Sequence, residues 1–207
     1  MQSQPPAIAL LLVRHAATAW NTQKRYQGRQ DIPLPADGMA DAERLARSLA
    51  GVPIGLVLAS PLARAMATAL PLATATGAAL ESDARLVELS YGLWEGLTQV
   101  EIKARWPDEL RCWKRAPETA RPPGGESLAE VLARLGDLLG DLPRRAAGRG
   151  VVALVTHDII IRLALLAARG VGPAGLRGIT VAPASAHPLL LSGGHLAIPV
   201  TEQAAHA

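Results

Sequence analysis

The sequence predicts an α/β fold built on a mostly parallel sheet. Three short runs, Ile8–Val13, Ile54–Ala59 and Val151–Val155, are apolar throughout instead of alternating, as strands covered on both faces are. Stretches with helical periodicity separate them, and strands alternating with helices favour parallel pairing through crossovers. No repeat, low-complexity block or linker divides the 207 residues, so one domain over 1–207 is expected.

Taken in order, Ile8–Val13 is the first strand. Residues 15–36 follow as a polar loop broken by Gly28 and the Pro33/Pro35 pair. Loops of that length are usually functional. Asp37 is expected to cap a helix over Gly38–Ala50, with Met39, Ala42, Leu45, Ala46 and Leu49 on one face and Gly51 ending it. The second strand, Ile54–Ala59, runs into Ser60–Pro61, an N-cap followed by Pro at the first helical position. The helix continues through Leu62–Ala75, with a kink expected at Pro71 and closure at Gly77. Ala79–Glu81 and Arg85–Val87 read as extended and lead to Glu88.

Residues 92–96 read as a turn, and a helix is expected over Thr98–Trp106, stopped by Pro107. The Pro- and Gly-rich stretch 115–125 reads as irregular. Glu126–Ser127 opens a long amphipathic helix to about Arg145, with Leu128, Val131, Leu132, Leu135, Leu138, Leu139 and Leu142 on its apolar face. Val151–Val155 is the third strand, ending in Thr156–His157–Asp158, and Ile159–Ala168 is a nearly all-apolar helix. Ala186–Leu191 and His195–Val200 read as a hairpin turning at Ser192–Gly193–Gly194. An exposed hairpin there could pair with a second copy, so a homodimer is possible.

Composition excludes several classes. Hydrophobic residues make up 49% and aromatics 3%, with no Phe, so the core must be Leu, Val, Ile and Ala. The net charge is +3, carried almost wholly by arginine, since the only lysines are Lys24, Lys103 and Lys114. The arginines are scattered, which leaves no footprint for nucleic acid. They suit a small anion, because guanidinium binds phosphate bidentately. Cys112 is the single cysteine, so neither an internal disulfide nor a thiolate metal site is expected. The first apolar run is too short for a signal peptide or membrane span and is broken by Arg14. A soluble, cytoplasmic protein is the expectation.

The three apolar strands end in chemistry-bearing residues. The first delivers Arg14 and His15, the second leads to Arg64 and the third delivers His157. In open α/β sheets ligands collect beyond the carboxyl ends of the strands. Each residue has an ordinary explanation by itself: a surface loop for Arg14–His15, an exposed helix face for Arg64, the neighbour of a helix cap for His157. Their joint placement is harder to explain away.

These residues carry a resemblance. Val13–Arg14–His15–Ala16 with Trp20–Asn21 resembles the Arg-His-Gly signature of the histidine phosphatase superfamily, in its phosphoglycerate-mutase-like branch. Tyr26–Gln27–Gly28 with Asp31–Ile32–Pro33–Leu34 is similar to the loop that follows it. Ser60–Pro61–Leu62–Ala63–Arg64–Ala65 with Thr68–Ala69 matches the next block. Leu86–Val87–Glu88 with Gly92–Leu93–Trp94–Glu95–Gly96 matches the acid-bearing block, Gly124–Gly125–Glu126–Ser127 a helix start, and Val155–Thr156–His157 the second-histidine block. The blocks come in family order and span nearly the whole chain.

The resemblance implies a three-layer α/β/α sandwich and a phosphatase that uses neither metal nor cofactor on a small-molecule phosphate ester. It implies His15 as the nucleophile that becomes a phosphohistidine, and Arg14, Arg64 and His157 around the phosphate oxygens. Glu88 is the implied proton donor; read without the resemblance, it is a surface residue in a turn. Asn21, Gln27 and Gly28 are candidates for substrate contacts. Trp20 and Trp94 are expected to support the site by packing, and His187, His195 and His206 to be structural or solvated. Related mutases carry a Lys shortly after the acid block and an Arg pair further on. Here Gln99 stands near the first position and no Arg pair occurs between 100 and 125, although Arg111, Arg115 and Arg121 could contribute singly. This favours a phosphatase over a mutase or a non-catalytic phosphate-binding protein. The segment 97–125 is expected to lie over the pocket and set substrate choice. Two departures stand out. Ala16 replaces a Gly, which is tolerable unless φ is positive there. Asp158 replaces another, and is expected to point outward or to cap the Ile159 helix.

Overall fold

A computed structural model describes residues 7–199. Six strands form one sheet: β1 (Ile8–Arg14), β2 (Ile54–Ala59), β3 (Ala79–Ser82), β4 (Val151–Thr156), β5 (Ala186–Ser192) and β6 (His195–Ala197). Their order is β3-β2-β4-β1-β5-β6. The first four in that order run parallel, and β5 and β6 are antiparallel additions. The expected α/β class and mostly parallel sheet are therefore observed.

The strands are apolar on both faces because both are covered. Leu10, Leu12, Leu56, Leu58, Val152 and Leu154 join one core with α6 (Leu128–Arg145) and α7 (Asp158–Ala168). Leu11, Val13, Val57, Ala59, Ala153 and Val155 join a second core, with α2 (Ala36–Ser48) and α3 (Ala63–Thr76). The two-residue period of a strand sorts the odd and even positions between the two layers. The helix residues of the second core are mostly alanine, Ala46, Ala65, Ala69 and Ala73.

Register places the site. Arg14 lies opposite Thr156 on β4, and Ala59 lies opposite Val155. His15, Ser60 and His157, one residue beyond each strand, therefore leave the sheet at the same rim. The rim is stitched by the His15 N–H donating to the Thr156 carbonyl (3.0 Å) and the Ser60 N–H to the Val155 carbonyl (2.9 Å).

Several local expectations are corrected. Ser60 does not cap α3. Its hydroxyl faces His157 Nε2 at 2.8 Å, and the first N–H of the helix, on Ala63, donates to Asp31 Oδ1 from the distant loop (2.6 Å). Asp37 lies inside the first turn of α2, behind Pro35 at the N-cap position. Residues 84–86 form a 3-10 turn instead of extended chain, capped by Asp83, which accepts from the Arg85 N–H at 3.0 Å. Helix α3 contains Pro71 and closes at Gly77 as expected, with Gly77 in the left-handed region at φ +70°. The 15–36 loop holds one short helix, α1 (Ala19–Thr22), capped by Thr18. Pro107 ends α4 (Gln99–Arg105), as expected, but also opens α5 (Pro107–Arg115) at its first position. Only Leu110 and Trp113 of α5 are buried, too sparse a stripe to show in the sequence. The C-terminal hairpin forms over β5 and β6; Val200 and His206 lie outside the described residues.

Candidate active site

One cavity of about 350 Å³ opens at the rim where the parallel strands end. It is lined by Arg14, His15, Asn21, Gln27, Gly28, Arg64 and Glu88 among others. Of the site residues expected from sequence, only His157 is absent from the lining. It is fully buried behind His15, with ring centroids 5.0 Å apart.

The backbone sets the state of His15. Its Nδ1 lies 2.7 Å from the Ala16 carbonyl oxygen. A carbonyl can only accept, so Nδ1 carries the proton and Nε2 keeps its lone pair. Burial first, then the Arg64 and Arg14 charges, hold its pKa well below 6.5, against the opposing pull of the Ala16 carbonyl. The imidazole is neutral at physiological pH. Ala16 is not among the positive-φ residues, so it carries no strain from the missing glycine. Its N–H donates to Thr68 Oγ1 (3.0 Å).

Arg64 is wholly buried on the first turn of α3 and, among the described residues, faces no carboxylate at ion-pair distance. Its guanidinium instead donates to the carbonyls of Gly28 (2.8 Å) and Gln30 (2.7 Å). The loop carrying those carbonyls is itself held by Glu95. That carboxylate accepts from the Arg29 N–H (3.1 Å), the Gln30 side chain (3.1 Å) and the Tyr91 N–H (3.0 Å). Gly28 is required twice over: its φ is +53°, and a Cβ there would meet Glu95 Oε1 at 2.1 Å. Glu95 belongs to a motif quoted from the sequence, but its positioning role is visible only in the fold.

Asn21 and Gln27 share another partner that sequence reading missed. The buried Thr18 hydroxyl lies 3.0 Å from both Asn21 Oδ1 and Gln27 Oε1, and the Thr18 N–H donates to Asn21 Oδ1 at 2.8 Å. The amide oxygens therefore face Thr18. Their NH₂ groups make no protein hydrogen bond among the described residues, and both residues line the cavity.

Glu88 is 6% exposed. Its Oε1 accepts from the Leu89 N–H (2.9 Å), and Oε2 lies 3.5 Å from the Ile159 N–H in the first turn of α7. Burial, with a further push from the Asp158 charge, raises its pKa from 4.5 to about 7, against the opposing effect of the Leu89 N–H and Arg64. His157 is held neutral, its pKa pushed well down by burial and then by His15. Its Nδ1 is buried with no hydrogen-bond partner among the described residues.

Asp158 corrects an expectation. It neither points outward nor caps α7; the cap position is His157. Its carboxylate lines the cavity, 3.1 Å from Arg14 Nη1 and 3.3 Å from Arg162 Nε. Arg14 also donates to the Val181 carbonyl. A carboxylate beside a phosphate pocket is thus neutralised by two guanidinium groups, and what remains of its field acts on Glu88. Asp158→Asn should let the Glu88 carboxyl fall back toward the ordinary range. The alkaline limb of kcat/KM for an alkyl phosphate should then move to lower pH, read from a pH–rate profile. An unmoved limb would disconnect the two carboxylates.

The outer wall is formed by Tyr26, Tyr91, Gln99, Trp113, Lys114, Leu176 and Arg177. Tyr26 and Tyr91 stack edge to face at 4.8 Å, and Trp94 is fully buried beside Tyr26 (6.0 Å) and Trp113 (6.4 Å). Arg111, Arg115 and Arg121 do not line the cavity, and Arg121 pairs with Glu130. His187 lies on β5 against Ser185, and His195 is exposed on β6.

The family model for the histidine phosphatase superfamily (branch 1) matches residues 10–202. The chain belongs to this superfamily. It is a phosphoric monoester hydrolase of the histidine phosphatase type. It is 34% identical over 164 residues to phosphoserine phosphatase 1 of Hydrogenobacter thermophilus, covering 79% of this chain and 77% of that one. It is 33% identical over 163 residues to 2,3-bisphosphoglycerate-dependent phosphoglycerate mutase 2 of Gloeobacter violaceus, covering 76% and 74%. Among solved structures, a mycobacterial glucosyl-3-phosphoglycerate phosphatase superimposes with TM-score 0.79 at 31% identity, covering 89% of this chain and 91% of that one. These neighbours share the phosphoglycerate-mutase-like sandwich. Among the described residues of this histidine phosphatase, no helix is long and apolar enough to cross a membrane.

Proposed function

We propose that this histidine phosphatase hydrolyses a small-molecule phosphate monoester without a metal, through a phosphohistidine on His15. One observation carries the reading: a neutral, buried imidazole presents an unprotonated Nε2 in a cavity it shares with Arg14, Arg64 and Glu88.

Nε2 attacks phosphorus, an N–P bond forms and the P–O bond to the alcohol breaks. Phosphoryl transfer asks the protein mainly for positioning and charge stabilisation, and Arg14 and Arg64 supply fixed positive charge to the phosphoryl oxygens. Glu88, about half protonated near pH 7, gives its proton to the departing alkoxide. The resulting carboxylate then takes a proton from water as that water attacks the phosphohistidine. Inorganic phosphate leaves and His15 and Glu88 return to their starting states. His157 buttresses His15 from behind. Residues 97–125 contribute Gln99, Trp113 and Lys114 to the outer wall, where substrate choice would be made.

The likeness to a mutase is set aside on one observation. Gln99 occupies the wall and none of Arg111, Arg115 and Arg121 reaches it, so the basic set expected of a mutase is incomplete. Rapid quenching with a ³²P-labelled ester tests the reading. It should trap an acid-labile, alkali-stable phosphoprotein in the wild type and none in His15→Ala. Turnover of 3-phosphoglycerate to its isomer with a bisphosphate primer should be negligible. Absence of both the phosphoprotein and any ester hydrolysis would end the proposal.

A further inference from the structure

The backbone around His15 is held by groups from several elements. The Arg14 N–H donates to the Ser185 carbonyl (3.0 Å), the His15 N–H to the Thr156 carbonyl (3.0 Å), and the His15 carbonyl accepts from the Ala184 N–H (3.2 Å). The Ala17 carbonyl packs against Gly38 of α2, so closely that a Cβ on that glycine would meet it at 2.4 Å. The Ala16 N–H is different. It donates to a side chain, the Thr68 hydroxyl at 3.0 Å, and both residues are buried. A single substitution can therefore release it.

Thr68 lies one turn beyond Arg64 on α3. Its hydroxyl donates to the Arg64 carbonyl at 2.8 Å, a familiar bond for a threonine within a helix. A hydroxyl has one proton. With that proton given to Arg64, the oxygen is left to accept from Ala16. One oxygen thus ties the backbone that follows His15 to the backbone of the arginine that shares its cavity.

The tie bears on the proton of His15, because Nδ1 donates to the carbonyl of the same Ala16 (2.7 Å). The N–H and the carbonyl of Ala16 flank one Cα, so turning the residue moves both. A buried N–H that loses its acceptor is costly, and the backbone turns to find another. A turned Ala16 takes its carbonyl away from Nδ1, and the bond that keeps the proton there is lost.

We infer that Thr68 is a positioning residue for the nucleophile. By holding Ala16, its hydroxyl keeps the His15 proton on Nδ1 and leaves the Nε2 lone pair free to attack phosphorus. This rests on His15 being the nucleophile, and deepens that reading by naming what holds it in its reactive form. The Arg64 guanidinium has anchors of its own, the Gly28 and Gln30 carbonyls. Loss of the Thr68 hydroxyl should therefore spare phosphate binding.

Long-range ¹⁵N–¹H correlation spectra of histidine-labelled protein, assigned with His15→Ala, read the tautomer directly. In the wild type His15 should carry its proton on Nδ1. Thr68→Val keeps the shape and removes the hydroxyl. It should show a mixture of tautomers and lose about tenfold or more in kcat, with KM and the affinity for inorganic phosphate unchanged within about twofold. Thr68→Ala, a better helix former than valine, should do the same. Thr68→Ser keeps the hydroxyl and should restore both the spectrum and kcat. A wild-type spectrum with the proton on Nε2 overturns the inference. So does an unchanged tautomer in both variants that lack the hydroxyl, whatever kcat does, or a mixed tautomer with unchanged kcat. A serine variant as slow as the valine one also overturns it, because the loss is then one of packing. If the wild type hydrolyses no ester and traps no phosphoprotein, the hydrolytic reading falls, while the spectra still show whether Thr68 holds the His15 proton.

Discussion

His15→Ala should lower kcat/KM for any phosphate ester by roughly 10⁵-fold or more, because the proposed covalent intermediate can no longer form. The loss should appear in kcat, with inorganic phosphate still bound by Arg14 and Arg64. Calorimetry with phosphate separates the two. Retention of more than a few per cent of activity would mean that water attacks the ester directly and would move the nucleophile elsewhere. The variant also carries a stability signature. In the wild type the folded pKa of His15 lies well below its unfolded value of 6.5. The unfolded chain therefore binds more protons as pH falls through and below 6.5, and the fold loses stability there. Replacing His15 removes one such site. Relative to wild type, His15→Ala should gain stability in going from pH 8 to pH 5, measured by urea unfolding at both. His157, also depressed, keeps part of the wild-type acid sensitivity in the variant.

Glu88→Gln should reduce turnover of an alkyl phosphate by about 10²–10⁴-fold, the usual worth of a general acid. On p-nitrophenyl phosphate, whose leaving group needs little protonation, the first step should be far less affected. The ratio of the two losses is the diagnostic, since a merely structural role would depress both alike. The wild type should work well on the alkyl ester up to about pH 7 and decline above it, as Glu88 loses its proton. Stability moves in the opposite sense to that of His15. The folded pKa of Glu88 is raised, from 4.5 to about 7, so its favourable contribution is complete below pH 4.5 and disappears as pH rises through 7. Above that, an ionised carboxylate stays buried. Glutamine can still accept from the Leu89 N–H, so the variant should be the more stable protein at pH 8, by on the order of 2 kcal/mol. Urea unfolding that showed it less stable at pH 8 would contradict the buried-acid description.

The apolar strands and the chemistry at their ends were legible because they rest on local properties. A strand buried on both faces must be apolar throughout, and Ile8–Val13, Ile54–Ala59 and Val151–Val155 are. The family blocks kept Arg14, His15, Arg64, Glu88 and His157 in recognisable settings, and four of the five meet in one cavity with the fifth directly behind. What failed locally did so where a distant residue took over a local task. Ser60 has the right residue type for an N-cap, but Asp31 accepts the helix N–H and Ser60 turns to His157. Helix α5 was hidden because two buried residues, Leu110 and Trp113, suffice to dock it.

By itself, then, the sequence determined the fold class, the rim at which the cavity lies and the candidate residues gathered there. The states of those residues were decided only in three dimensions. The tautomer of His15 depends on a 2.7 Å approach of the Ala16 carbonyl, and the acidity of Glu88 on burial beside Asp158. The direction of Asp158 depends on two arginines that reach it from β1 and from one turn along α7, and the tie between the end of α5 and the 3-10 turn Pro173–Gly178 on Arg177 donating to the Lys114 carbonyl. Proton affinity and charge balance are set by desolvation and by distances between groups far apart in the chain. Residue order encodes those distances only through the folded backbone.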